Sequence, residues 1–235
     1  MLDQYVCENC GYNMIGYYPI RCPFCGASRN KFITANQCSR KYTVEKHPVT
    51  ELVTCLTSAP RLGYEHAAYH IKSKNKHIWI DCPSCFKTEV PKADIILFTH
   101  HHFLGASNLY KEHFDTDIYL HHHDAKEDLC KEFPIDTTFK SDFTIKDIEA
   151  KHIDGHTKGF TIYFFNSIVF LCDYVFFKKE QMKFNPYGNT ENTRKGGEKL
   201  RDILQKRDVS TVCGYNYISD YDHWFHHFEK LNNTS

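Results

Sequence analysis

Ile95, Ile96, Leu97 and Phe98 form a short apolar run, and Ile168, Val169, Phe170 and Leu171 form a second. Runs of this length, bounded by polar residues, predict strands buried on both faces. Residues 77–80 predict another strand, with the KSKNK stretch at 72–76 as the turn before it, and residues 51–56 and 66–71 have β-type composition. Residues 118–120, 143–150, 160–165 and 209–212 supply the remaining strands. Residues 191–206 are charged but carry Leu200, Ile203 and Leu204 at helical spacing, which predicts a surface helix. Leu109-Tyr110-Lys111-Glu112 can begin another, and residues 34–46 read as a polar connector. Strands first, then strands alternating with helices, predict a layered α/β domain. No internal repeat interrupts the pattern.

With 235 residues the chain has room for one large domain, or for a small module followed by a domain of roughly 200 residues. Basic and acidic residues balance at 29 each, which leaves no electrostatic footprint for nucleic acid or an anionic membrane. The apolar run at 168–171 is far too short to span a bilayer. The opening MLDQYVCENC lacks the basic and apolar regions of a signal peptide, so a cytoplasmic, reducing setting is expected. In that setting the eleven cysteines, several in C-x-x-C pairs, read as metal ligands rather than disulfides.

Cys7-Glu8-Asn9-Cys10-Gly11 and Cys22-Pro23-Phe24-Cys25-Gly26 are the clearest such pairs. Each can wrap a tight turn around one ion, with Gly11 and Gly26 supplying the positive φ that follows the second thiolate. Four thiolates make a closed tetrahedral site for Zn²⁺ or a single iron. So short a segment cannot bury enough surface to fold unaided, and the metal would supply the folding energy. YVCENCGYNMIG followed by CPFCGASRNKF resembles rubredoxin, above all the short module that ends rubrerythrins. That resemblance, over about residues 4–33, implies one iron on Cys7, Cys10, Cys22 and Cys25 and single-electron transfer. A structural zinc ribbon has the same spacing. The predicted organisation is a module at 1–33 and a larger domain at 45–235.

The larger domain is organised around IILFTHHHFLGASNLY, residues 95–110. A buried strand that ends in imidazoles just before a helix puts metal ligands at a sheet edge, where α/β folds keep their sites. On extended backbone His100 and His102 point the same way and can share one ion, while His101 faces elsewhere. A second run, His121-His122-His123-Asp124, reads as a solvated loop. The third C-x-x-C pair, Cys82 and Cys85, reads as a loop leaving the strand at 77–80 (Asp81 and Pro83 shaping it).

IWIDCPS, ILFTHHHFLGAS, HIDGHTKGFTIYFF and VFLCDYVFF follow one another in that order. Together, across about residues 45–220, they resemble the metallo-β-lactamase superfamily, whose fold is an αββα sandwich with metals at the sheet edge. The resemblance assigns His100, His102 and His156 as imidazole ligands and Asp173 as the bridging carboxylate, with Gly155 and Gly159 flanking His156. Lys158 stands where the family usually has proline. Leu104 and Gly105 stand where it has the aspartate and histidine of a second metal site, and Tyr215 where it has its late histidine. One metal is therefore expected in this domain.

Three functions follow from that expectation. One Zn²⁺ on His100, His102 and His156, with Asp173 holding or deprotonating its water, implies hydrolysis of thioesters, as in the glyoxalase II branch, or of similar esters. His100, His156 and Asp173 could instead form a facial site for iron(II), an oxidoreductase served by the N-terminal module or a redox partner protein. The third is a non-catalytic binding or sensing protein stabilised by its metals. The hydrolase keeps the family's commonest activity and is the leading expectation, with a small molecule as substrate.

Overall fold

The computed structural model describes residues 3–233, so the outermost two residues at each end of the predicted ranges lie outside it. Among the described residues, four α-helices accompany the sheets: α1 (Ala35–Lys41), α2 (Ser107–Phe114), α3 (Thr190–Leu204) and α4 (Tyr221–Asn233).

Alternation along the strands sets the layering, because successive side chains on pleated backbone face opposite ways. In Lys76–Ile80, Ile78 and Ile80 enter one core and Trp79 another; in Ile95–Leu97, Ile95 and Leu97 oppose Ile96 in the same manner. These strands are parallel neighbours, Ile78 opposite Ile95 and Ile80 opposite Leu97. They lie within a seven-stranded sheet that runs Thr137–Phe139, Asp117–His121, Ile95–Leu97, Lys76–Ile80, Ala68–Ser73, Val53–Ala59, Thr43–Pro48. A six-stranded sheet runs Phe143–Ile145, Ile148–His152, Thr161–Phe165, Ile168–Cys172, Thr211–Gly214, Ile218–Asp220.

Ile78, Ile80, Ile95 and Leu97 meet Tyr163, Phe165 and Phe170 in a core between the two sheets. Outside the first sheet, Trp79 and Ile96 pack with Tyr110 of α2. Outside the second, Val169 and Leu171 are covered by Leu200 and Leu204 of α3 and by Trp224 and Phe228 of α4. Two sheets inside and helices outside make the expected αββα sandwich.

Several elements depart from the sequence reading. The connector at 34–46 contains α1, whose start is a capping box: Thr34 Oγ1 accepts from Gln37 N while Gln37 Oε1 accepts from Thr34 N. Residues 143–150 are two strands of a hairpin rather than one, turning at Lys146 with φ +56. The hairpin of Val175–Lys178 and Gln181–Phe184, and α4, were not foreseen. The strand expected at 66–71 begins at Ala68, which leaves Glu65 and His66 in the loop before it.

The cysteine module is a three-stranded sheet ordered Asn13–Ile15, Gln4–Cys7, Phe32–Thr34. Its Val6, Met14 and Phe32 belong to the same apolar cluster as Trp79 and Tyr110. Fully burying a side chain such as Met14 contributes roughly 1.5–3 kcal/mol. Polar contacts reinforce the seam: Asn13 Nδ2 donates to Ser84 O at 3.1 Å and Tyr12 Oη to Leu129 O at 2.9 Å.

Candidate metal centres

Two turns of one design present the four N-terminal thiols. In the first, Cys7 N donates to Tyr12 O and Gly11 N to Cys7 O; in the second, Cys22 N donates to Ala27 O and Gly26 N to Cys22 O. Gly11 and Gly26 have φ of +88° and +71°, the left-handed backbone these turns require. The Sγ atoms of Cys7 and Cys25 lie 3.7 Å apart, as do those of Cys10 and Cys22, and all four fall within 4.8 Å of one another. Metal–sulfur bonds of about 2.3 Å in a tetrahedron require sulfurs about 3.8 Å apart. The four cysteines fit one ion. Hydrogen bonds from Cys10 and Cys7 draw the Cys22 thiol down to about 4, while the same contacts push Cys10 up.

In the larger domain, His100, His102, His156 and Asp173 bring one ligand atom each to within 4.8 Å of the others. His100 and His102 leave the parallel strand Ile95–Leu97, and Asp173 follows Ile168–Cys172 of the other sheet. His156 Nε2 lies 3.0 Å from His102 Nδ1 and 3.7 Å from Asp173 Oδ2, and His100 Nε2 lies 3.5 Å from Asp173 Oδ1. A tetrahedral ion with metal–nitrogen bonds of about 2.05 Å needs edges of about 3.3 Å. The buried His100 Nε2 and Asp173 Oδ1 have no hydrogen-bond partner. Buried polar atoms are nearly always paired, so these two are aimed at a missing partner. Burial, then the neighbouring imidazoles, holds His100 and His102 far below the usual range, and burial lowers His156 to about 4; all three stay neutral, the form that binds metal. Burial, then the nearby Asp81, raises Asp173 to about 8. A cation would reverse that shift by favouring the carboxylate.

Neighbouring groups fix each ligand. Thr99 donates N–H and Oγ1–H to the buried Asp81, and His100 Nδ1 lies 3.0 Å from Thr99 Oγ1. With that hydroxyl committed to Asp81, Nδ1–H donates to it and Nε2 keeps its lone pair. Asn185 Nδ2 donates to Asp173 Oδ2 at 2.8 Å and to its carbonyl at 3.0 Å. Asp124 accepts from Gly159 N, Thr157 Oγ1 and His101 N, tying the turn that carries His156 to the first histidine run. Gly155 holds φ +107° there, and a Cβ would come 2.3 Å from Tyr174 Oη.

The second histidine run is a solvated loop only in part, with His123 exposed and His122 half-buried. His121 and Asp124 are buried, the former with its ring 4.1 Å from that of His152. Cys82 and Cys85 are buried loop residues near backbone carbonyls, outside every possible ligand group among the described residues. Leu104 is buried in the outer core, and Gly105, at φ +56°, has Cys82 O only 2.4 Å from where a Cβ would stand. No histidine fits there.

The sequence reading passed over a further group: His66, Cys172 and Asp173 also bring ligand atoms within 4.8 Å of one another. His66 lies in the loop before Ala68–Ser73 and stands at no ligand spacing. Cys172 was read only as the end of a strand, and Asp81, Asp124 and Asn185 carried no ligand spacing.

No protein-family model matches this sequence, and no curated protein matches it. Solved structures do match in shape. A metallo-β-lactamase from Pontibacter korlensis is 16% identical with a TM-score of 0.65, the match covering 82% of this chain and all of that one (100%). The metallo-β-lactamase FIM-1 from Pseudomonas aeruginosa, solved in its mono-zinc form, is 11% identical with a TM-score of 0.64, over 81% of this chain and 95% of that one. An archaeal metallo-β-lactamase superfamily protein from Sulfolobus tokodaii is 11% identical with a TM-score of 0.54, over 70% and 79% of the two chains. The fold is that of the metallo-β-lactamases.

Proposed function

We propose that the chain is a metal-dependent hydrolase whose ion is held by His100, His102, His156 and Asp173, acting on a thioester or similar ester of a small molecule. The observation that carries this reading is the convergence of four ligand atoms within 4.8 Å, with His100 Nε2 and Asp173 Oδ1 buried and unpaired. Zn²⁺ suits three imidazoles and a carboxylate, and the mono-zinc relative offers a parallel for one ion on this fold. Bound there, such an ion would supply Lewis acidity toward an acyl carbonyl and toward water near neutral pH. Asp173 is the proposed catalytic residue: one oxygen faces His100, the other is held by Asn185, and the carboxylate so fixed can hold and orient the attacking water.

One contact favours a second reading. Phe24, between two ligand cysteines, packs against His102, so an iron in the module would stand beside the larger domain's site. In that case the chain is an oxidoreductase, with Cys7, Cys10, Cys22 and Cys25 holding the electron-transfer iron and His100, His156 and Asp173 the reacting one.

Metal analysis of the purified chain and its His156→Ala variant, with hydrolysis measured on a thioester panel, tests the choice. The hydrolase predicts zinc, loss of one equivalent in the variant and loss of turnover. Iron at both centres, with oxygen uptake and no hydrolysis, would select the oxidoreductase. Unchanged metal content in the variant would remove both.

A further inference from the structure

Asp173 faces two sets of donors rather than one. Its Oδ1 lies 3.5 Å from His100 Nε2, and its Oδ2 lies 3.4 Å from His66 Nε2. On the other side of the same imidazole, His66 Nδ1 stands 3.0 Å from Cys172 Sγ. All three residues are buried.

The backbone at this point is irregular. On a regular strand Cys172 and Asp173 would point to opposite faces. Here the pairing of Ile168–Cys172 with Thr211–Gly214 slips between Phe170 and Cys172, and Cys172 takes φ +44°. A non-glycine residue in the left-handed region costs on the order of 1–3 kcal/mol, and such strain clusters at ligand sites. The irregularity brings both side chains against the His66 ring, Cys172 at Nδ1 and Asp173 at Nε2. His66 is fixed just as firmly. The buried Glu65 carboxylate accepts from Ser58 N and Ser84 N, Ala67 N donates to Tyr215 O, and the Phe103 ring lies 3.9 Å from the imidazole. Beside it opens a cavity of about 340 Å³ lined also by Arg61, Tyr215 and Asn216.

We propose that His66, Cys172 and Asp173 hold a second divalent cation, with the Asp173 carboxylate shared between it and the ion on His100, His102 and His156. This rests on the reading of Asp173 as a ligand of the first ion. Thiolate, imidazole and carboxylate together suit Zn²⁺ or another late divalent metal rather than Mg²⁺ or Ca²⁺. The expectation of one metal followed from Leu104, Gly105 and Tyr215; the replacement ligands come from a different loop and from the residue before the aspartate. Three protein ligands leave a fourth position open.

The whole chain, produced in cobalt-supplemented medium, provides the test through cobalt content per chain and the thiolate-to-cobalt absorption. Three equivalents are expected in the unaltered protein. His66→Phe, which keeps a ring against Phe103, and Cys172→Ser should each lose one equivalent. Cys172→Ser should also lose about one fifth of the thiolate absorption, one sulfur among five. His102→Ala should lose one equivalent with that absorption intact. If His66→Phe does not fold, the absorption of Cys172→Ser decides alone. Equal cobalt content in the unaltered chain and both second-site variants would overturn the proposal, leaving a thiol–imidazole hydrogen bond, while His102→Ala could still report the first ion. Full retention of cobalt by His102→Ala would instead sink the first-site reading.

Discussion

The ring of Phe24, set between Cys22 and Cys25, stands 5.4 Å from the imidazole of His102 and 4.8 Å from the ring of Phe103. One side chain thus joins the two centres. Replacing Phe24 with alanine should lower stability by about 1–3 kcal/mol, since the ring is partly buried, and leave metal content at both centres unchanged. Thermal denaturation alongside metal analysis would check this. If iron fills the module, the same substitution should also slow reoxidation of the reduced module in stopped-flow measurements; hydrolysis by a zinc enzyme should change little.

Asn185 holds Asp173 through two hydrogen bonds from one amide nitrogen. Asn185→Ala should weaken metal binding or turnover by about 10- to 100-fold, the usual cost of removing a group that orients a ligand. The apparent Kd for Zn²⁺, measured with a competing chelator, gives the number. An unchanged Kd and unchanged kcat would show that Asn185 only fills space.

Placing at position 105 the histidine that the sequence resemblance leads one to expect should fail. Gly105→His would need a left-handed backbone and would press its Cβ against Cys82 O and Pro83 O. The expected cost is about 3 kcal/mol or more, with no added metal. Urea denaturation and metal content together would reveal the result; a stable variant with an extra ion would contradict the packing described for this loop.

A pair of histidines far from either centre predicts how stability depends on pH. His70 Nε2 lies 2.8 Å from His77 Nδ1, and burial, then the charge of His77, lowers His70 to about 4. Unfolded, the same imidazole titrates near about 6.5. The unfolded chain therefore takes the proton first, so this contribution is complete above pH 6.5 and lost as pH falls toward 4. Urea midpoints measured from pH 7 to pH 4 should drop, and His70→Phe should drop less steeply.

The layered fold was legible because its strands are short apolar runs whose alternation is preserved in the cores: Ile78 and Ile80 on one side, Trp79 on the other. Spacing alone marked the four cysteines and the pair His100 and His102, which stand in a loop after Ile95–Leu97 rather than on extended backbone, while the family resemblance assigned His156 and Asp173. What escaped notice depends on contacts distant in sequence. His66 gains meaning only where its loop meets Cys172, 106 residues away. Asp124 gains it only where the second histidine run folds onto the Gly155 to Gly159 turn. The helix α1 was hidden for another reason: its capping box lies in a polar stretch with too few apolar positions to show a period.

The seam between cysteine module and sheet carries a consequence for how the molecule is handled. Val6 and Met14 share one apolar cluster with Trp79, so if the four thiols hold an ion, a chelator that strips it would loosen that cluster. Clumping, rather than a tidy metal-free monomer, is the expected fate of the starved protein. Supply of a single ion would thereby govern how long the entire polypeptide survives.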